Sequence, residues 1–254
     1  MKIRVLGAFG GEGLGHRPSS FLINDRVLID GGSVTGALTV PEQLRIEHAL
    51  VSHAHLDHIA GLVYLTETLG FCETGAAVTI ASIDPVVTTL RAGVFNNVLW
   101  PDFSRIPHAD VPVVKYRTLV EDVEQRLGDL WVTPVQVQHT VPTAGFIVHD
   151  GSTGLIYSGD TGPTAALWAA ARGLHGLRAV ILECAFPNRL AQLADIAKHM
   201  TPDLIRRELD KLPPDLPVWI FHVKPQFHEE VAEELERSGG DRVQLLEQDR
   251  TYSL

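Results

Sequence analysis

Short apolar runs closed by glycine, proline or aspartate alternate along the chain with longer stretches of helical period, and this alternation predicts an α/β fold. Ile3 to Leu6, Ser20 to Ile23 and Arg26 to Ile29 predict early strands. Asn24-Asp25 suits the hairpin turn between the last two, and Gly31-Gly32 closes the third. Ala49-Leu50-Val51 predicts a brief buried strand, Ile59 to Leu69 the helix after it, and Val78 to Ala81 another strand, with a helix after Asp84-Pro85. Residues 95 to 112, rich in Asn, Pro and aromatic side chains, predict an irregular stretch. Strands follow at Trp131 to Gln138, Phe146 to His149 and Leu155 to Ser158, the last two around a turn at Asp150-Gly151. Val180 to Leu182 and Val218 to Phe221 predict two more, separated by two helical stretches. The second helix opens with Thr201 as N-cap, Pro202 at the first helical position and Asp203 in the first turn. No linker, repeat or low-complexity segment interrupts the pattern, so one domain over residues 1–254 is the economical organisation.

Composition narrows the class. With 254 residues and 45% hydrophobic content the chain can bury a sizeable core. Met1 to Leu6 is too short an apolar run for a signal peptide, and no stretch approaches the roughly 20 apolar residues of a membrane helix, so a cytoplasmic protein is expected. Cys72 and Cys184 show no metal-ligand spacing and read as ordinary thiols. The formal charge of −10 disfavours a nucleic-acid polymer as partner, because gripping many phosphates needs a basic face. Glu229, Glu230, Glu233, Glu234 and Glu236 suggest an acidic patch, but their spacing fits the wet side of a C-terminal helix ending near Gly239-Gly240.

The run Ser52-His53-Ala54-His55-Leu56-Asp57-His58 changes the picture most, with four metal-binding side chains within six residues. In an extended segment His53 and His55 fall on one side and can converge on one ion, while Asp57 and His58 point elsewhere. That suits two metals better than one, and an open coordination position would activate water. Other ligands are expected where strands end, because sites in open α/β sheets collect at carboxyl ends of strands. His139 follows Gln138, Asp160 follows Ser158-Gly159, and His222 follows Phe221. A lone histidine after a strand is ordinarily a loop residue, but the shared context makes these three candidate ligands, with Asp160 able to bridge two cations. His16, His48, His108, His149, His175 and His228 lack such context and read as surface or structural residues. Gly10 to Gly15 precedes no obvious helix and is not a phosphate-binding P-loop.

With these residues in place, the chain resembles the metallo-β-lactamase superfamily, and within it the class II 3′,5′-cyclic nucleotide phosphodiesterases. The likeness runs from Arg17-Pro18-Ser19-Ser20-Phe21-Leu22 through Asp30-Gly31-Gly32, Ser52 to Gly61 and Trp100-Pro101-Asp102-Phe103. It continues through His139-Thr140-Val141-Pro142, Ser158 to Pro163, Glu183 to Asn188, His199-Met200-Thr201-Pro202 and His222-Val223-Lys224-Pro225. Tyr64 and Thr66 depart from the class II pattern, which favours an aliphatic residue and a serine there.

The resemblance implies an αββα sandwich, two mixed β-sheets flanked by helices, with two divalent metals at one edge. It assigns His53, His55 and His139 to one metal, Asp57, His58 and His222 to the other, and Asp160 to both. Zinc is the expected ion, and the same ligands suit manganese or iron. The implied reaction is hydrolysis of cyclic AMP, or cyclic GMP, to the 5′-monophosphate by a hydroxide bridging the metals. Asp57, Asp160 and His199 are the expected catalytic residues, with His199 protonating the leaving oxygen or holding a phosphate oxygen. Lys224 is a candidate phosphate contact, and Asn96 and Trp100, with Phe103, are candidate walls of a base pocket. The expected partner is thus a small cyclic nucleotide, and a homodimer is compatible with the chain. A tRNase Z-like nuclease, a lactone or thioester hydrolase, and a metal-stabilised ligand sensor are the rival readings.

Overall fold

The structure, a computed structural model, describes residues 1–72, 74–238 and 240–254. The first seven-stranded sheet is built mainly from β1 (Lys2–Gly7), β2 (Ser20–Ile23), β3 (Val27–Gly31), β4 (His48–Leu50) and β5 (Val78–Ser82). A short ribbon follows, β6 (Pro107–His108) with β7 (Val111–Pro112), before β8 (Val114–Thr118) joins that sheet. The second sheet takes β9 (Gln125–Leu127), β10 (Leu130–Gln136), β11 (Ala144–His149), β12 (Gly154–Tyr157), β13 (Leu177–Glu183), β14 (Val218–Phe221) and β15 (Val243–Leu245). The chain then returns to place β16 (Thr251–Ser253) beside β1. Helices α1 (Val34–Ala37), α2 (Val40–Gln43), α3 (Leu56–Phe71) and α4 (Asp84–Thr89) belong to the first half. Helices α5 (Ala166–Ala170), α6 (Ala191–Ala197), α7 (Pro202–Leu209) and α8 (His228–Ser238) belong to the second.

Both sheets follow one plan. From β16 to β3 the neighbours are antiparallel, and from β3 through β4 and β5 to β8 they are parallel. From β9 to β12 they are antiparallel, and from β12 to β15 parallel. Parallel strands are covered on both faces and need apolar residues on both, which is why β13 and β14 read as continuous hydrophobic runs. Their side chains alternate between two cores. Ala179, Ile181, Trp219 and Phe221 join Phe21, Leu28 and Phe146 in the core shared by both sheets. Val180, Leu182, Val218 and Ile220 pack outward with Ile205 and Leu209 of α7 and Val231 of α8. Fully burying such a side chain stabilises the fold by about 1.5–3 kcal/mol.

Several expectations need correction. Helix α3 starts at Leu56 rather than Ile59, so Asp57 and His58 lie in its first turn, where an acidic residue suits the helix N-terminus. Residues 95–112 hold the β6–β7 ribbon, and α4 runs on into a π-helical turn at Leu90–Val94. Strands β8, β9, β15 and β16 escape the apolar pattern because they are edge or near-edge strands with exposed positions. Thr201 occupies the N-cap position of α7 but makes no capping hydrogen bond; instead the Asp203 N–H donates to Asn188 Oδ1 at 2.8 Å. Gly239, at the expected end of the C-terminal helix, lies outside the described residues, while α8 itself carries the acidic run. No helix among the described residues is long and apolar enough to cross a membrane.

Candidate metal centre and active site

Strand ends deliver the site. The loop after β4 carries His53 and His55, the first turn of α3 carries Asp57 and His58, and the turns after β10, β12 and β14 carry His139, Asp160 and His222. The structure brings all seven together. His53, His55, His139 and Asp160 offer ligand atoms within 4.8 Å of one another, as do Asp57, His58 and His222. Asp160 stands between the two groups: its Oδ1 lies 3.3 Å from His58 Nε2, and its Oδ2 lies 3.0 Å from His222 Nε2 and 3.6 Å from His53 Nε2.

The backbone is shaped around these contacts. Gly159, just before Asp160, has φ +60, a conformation that favours glycine. His222 itself has φ +71, unusual for a histidine, and is fixed by its N–H donating to the Ala8 carbonyl at 2.6 Å. Gly10 packs directly behind it: a Cβ there would stand 2.4 Å from the His222 carbonyl oxygen and 2.8 Å from Nε2. The glycine-rich segment therefore serves, at Gly10, as a close backing for His222.

The outer ring nitrogens are held by protein groups. His58 Nδ1 donates to Asp30 Oδ2 at 2.7 Å, and Asp30 also accepts from the Ser52 N–H (2.7 Å), Ser52 Oγ (2.7 Å) and Tyr157 OH (2.5 Å). His53 Nδ1 meets Ser52 Oγ at 3.0 Å, His222 Nδ1 meets Ser19 Oγ at 3.2 Å, and His139 Nδ1 faces the Lys198 carbonyl at 3.4 Å. Such partners fix the tautomer and aim the other nitrogen inward. Those inward atoms are His53 Nε2, His58 Nε2, His222 Nε2 and Asp160 Oδ1, all buried and without a hydrogen-bond partner. Each unpaired buried polar atom costs about 1–3 kcal/mol, so four converging on one spot need a common partner. Histidine nitrogen and carboxylate oxygen are the donors that zinc, manganese and iron accept, and a divalent cation fits them.

The electrostatics agree. Burial holds the His53, His55, His139 and His222 imidazoles below their ordinary range, which leaves lone pairs to offer. Burial also pushes His58 down, but Asp160 and Asp30 outweigh it and raise His58 well above the ordinary value. A cation at this position would take the place of that proton. Burial would raise Asp160 and Asp57, yet the facing histidines hold both below the usual carboxylate range, Asp160 by far the more.

His199 joins the cluster with Asp160 and His222. Its Nδ1 donates to Glu183 Oε1 at 2.8 Å, and Glu183 also accepts the N–H groups of Thr161 (2.9 Å) and Met200 (3.3 Å). Burial lowers His199, but Glu183 outweighs it and leaves the imidazole above its ordinary value. Asp30 and Glu183 hold His58 and His199 by hydrogen bonds and Tyr157 donates to Asp30, contacts that the sequence did not assign to them. Asp30 lies one residue before the end of β3 and Glu183 ends β13, and both fall in segments that carry the resemblance, Asp30-Gly31-Gly32 and Glu183 to Asn188.

Lys224 stands at the rim, its Nζ 3.6 Å from Asp57 Oδ2 and donating to the Gly10 carbonyl. Asn96 and Trp100 are not brought to the cluster, and neither lines the cavities that border His55 and His199. Asn96 spends its amide within its own loop, donating to Ala92 O and accepting from the Val98 and Leu99 N–H groups. Trp100 packs edge-to-face on Tyr64, one of the two departures from the class II pattern, at 5.7 Å. Phe103 is 2% exposed and belongs to the core.

Comparison with known proteins places this geometry. The profile of the beta-lactamase superfamily domain matches residues 26–222. A protein of Yersinia pestis, named as a probable 3′,5′-cyclic-nucleotide phosphodiesterase, is 28% identical over 211 residues, 72% of this chain. The matched region spans only 59% of that relative's length. A 3′,5′-cyclic-nucleotide phosphodiesterase of Aliivibrio fischeri is 26% identical over 87% of this chain and 80% of its own. Among solved structures, unliganded yeast PDE1 superposes over 100% of this chain and 99% of its own with a TM-score of 0.81 at 20% identity, a likeness of fold.

Proposed function

The chain belongs to the beta-lactamase superfamily, and from that premise we propose that it is a metal-dependent phosphodiesterase opening 3′,5′-cyclic nucleotides, cyclic AMP or cyclic GMP, to nucleoside 5′-monophosphates. The observation that carries this reading is the convergence of seven metal-type ligands in two groups on Asp160, with a Glu183-held His199 beside them. The substrate class is supported by relatives named as cyclic-nucleotide phosphodiesterases. In this reading His53, His55 and His139 hold one ion, Asp57, His58 and His222 hold the other, and Asp160 serves both.

Two divalent ions, zinc foremost, would supply Lewis acidity that turns water into a nucleophile at neutral pH and offsets charge on the phosphoryl oxygens. The chain's own residues do the rest. Glu183 takes the His199 Nδ1 proton in a hydrogen bond and turns the opposite nitrogen toward the cluster. As the water oxygen, having given up one proton to solvent, bonds to phosphorus and the bond from phosphorus to the 3′ oxygen breaks, His199 hands its Nε2 proton to that oxygen and keeps its Nδ1 proton on Glu183. Lys224, beside Asp57, offers a positive charge to a phosphate oxygen at the rim.

The test gives purified protein of measured metal content cyclic AMP, cyclic GMP, bis(4-nitrophenyl) phosphate, a lactone and a tRNA precursor. Cyclic-nucleotide turnover is expected, and two bound metals without phosphodiester turnover would refute the proposal. His199→Ala should lower kcat by about 10²–10⁴ with metal content retained, whereas His222→Ala should lose metal and activity together.

A further inference from the structure

A cavity of about 300 Å³ borders the histidine cluster, and His199 forms part of its wall. Its size sits at the lower end of the range for small-molecule sites, about 300 to 1,000 Å³. If His199 protonates the leaving 3′ oxygen, the nucleoside attached to that oxygen lies on the His199 side. The cavity at His55 holds only about 150 Å³ and is walled by Pro85, Val86, Val141 and Pro142. We infer that the larger cavity is a nucleoside subsite, taking the ribose and base of the cyclic nucleotide while the phosphate sits at the Asp160 cluster. This assignment rests on the functional reading above and deepens it.

Its walls suit an uncharged aromatic ligand. Pro163 and Leu204 supply apolar surface. Arg207 lines the same space and its side chain makes no hydrogen bond or ion pair among the described residues, so its planar guanidinium is free to lie over a base. Asn188 is oriented by its neighbour: the Asp203 N–H donates to its Oδ1 at 2.8 Å, which leaves the Nδ2 group as a donor for a ring nitrogen or carbonyl of the base. Apart from His199, whose charge Glu183 offsets, the formal charges balance, because Lys198 and Arg207 are matched by Asp195 and Asp203, and Lys198 is already paired with Asp195 at 3.2 Å. A leaving group carrying further phosphates, as RNA would, calls for a surplus of cations that this cavity does not have.

The test uses Arg207→Ala, which removes the free guanidinium, and Leu204→Trp, which fills the cavity, with Arg206→Ala as the control from the same helix outside the lining. In each of the first two, KM for cyclic AMP should rise at least about tenfold while kcat changes less than about threefold, and Arg206→Ala should behave as wild type. Adenosine, which carries no phosphate, is titrated by calorimetry into the same metal-characterised proteins, and its affinity should fall about tenfold in both cavity variants. Unchanged KM and unchanged adenosine affinity in Arg207→Ala overturn the subsite, even if Leu204→Trp fails to fold. Should wild-type protein cleave bis(4-nitrophenyl) phosphate but no cyclic nucleotide, the functional reading fails and the adenosine titration alone decides the cavity. Binding weakened by the variants supports it, and no binding to wild type overturns it.

Discussion

At Asp30 one buried carboxylate accepts from the Ser52 N–H and hydroxyl, the Tyr157 hydroxyl and His58 Nδ1, while its own backbone sits at φ +51. The hydrogen bond to His58 is what holds Nδ1 outward and turns His58 Nε2 toward the cluster. Asp30→Asn would present an NH₂ group to that ring, favour the opposite tautomer and put a proton where a metal is expected. Metal affinity should drop about 10–100-fold, and stability should fall by about 2 kcal/mol for the donors left unmatched. Elemental analysis and urea unfolding of the variant check both numbers, and unaltered metal content would show that Asp30 does not set the tautomer. This role was not legible in the sequence. His53, His55, Asp57 and His58 announce themselves because they are contiguous, but Asp30 gains its meaning from Ser52, 22 residues on, and Tyr157, 127 residues on.

Among the elements, α2 shows how a local rule can carry a measurable term. Thr39 and Glu42 form a capping box, and Glu42 also bonds Arg4 Nη1 at 2.7 Å. The Thr39 hydroxyl, then its N–H, then Arg4 hold the Glu42 carboxyl at about 2 rather than 4.5. A lowered folded-state value means that this stabilisation is complete above pH 4.5 and is lost as the pH falls toward 2. Glu42→Gln should therefore be less stable than wild type at about pH 6, with the gap closing by about pH 2.5, in paired urea titrations. A gap that stays constant across that range would remove the carboxylate from the account. Patterns of this local kind made β1 to β5 and β10 to β14 readable. Strand β8, with Lys115 and Arg117 exposed or half-buried, exists because β5 offers it a parallel ladder, and nothing within its own residues says so. The same holds for α7, capped from Asn188 fourteen residues before its first turn rather than by its own Thr201.

For the molecule as a whole, the candidate ligands are divided between the sheets. His53, His55, Asp57 and His58 come from the first, and His139, Asp160 and His222 from the second. Ions held jointly would tie the sheets together, so their binding free energy adds to folding stability in the manner of any ligand that prefers the native state. At a hundred times the dissociation constant each ion adds about 2.7 kcal/mol. Chelation should lower the melting temperature, and titrating zinc back should restore it in step with the metal bound, as calorimetry would show. A melting temperature indifferent to chelator would mean that the seven residues hold no structural load through metal. That the two ligand groups share one edge was legible from the strand ends. That Asn96 and Trp100 lie away from it was not, since their loop is fixed by its own amide bonds and by Tyr64.

His222 leans on Ser19 and on the backbone of Ala8, partners more than 200 residues earlier in the chain. Timing follows from that distance. During synthesis at about 5–20 residues per second, roughly ten to thirty seconds separate the emergence of His58 from that of His222. For that interval His53, His55, Asp57 and His58 stand without His139, Asp160 and His222 from the second sheet. The two groups thus meet only once His222 has emerged, so an ion that needed both would bind after that point and not while the first sheet stands alone.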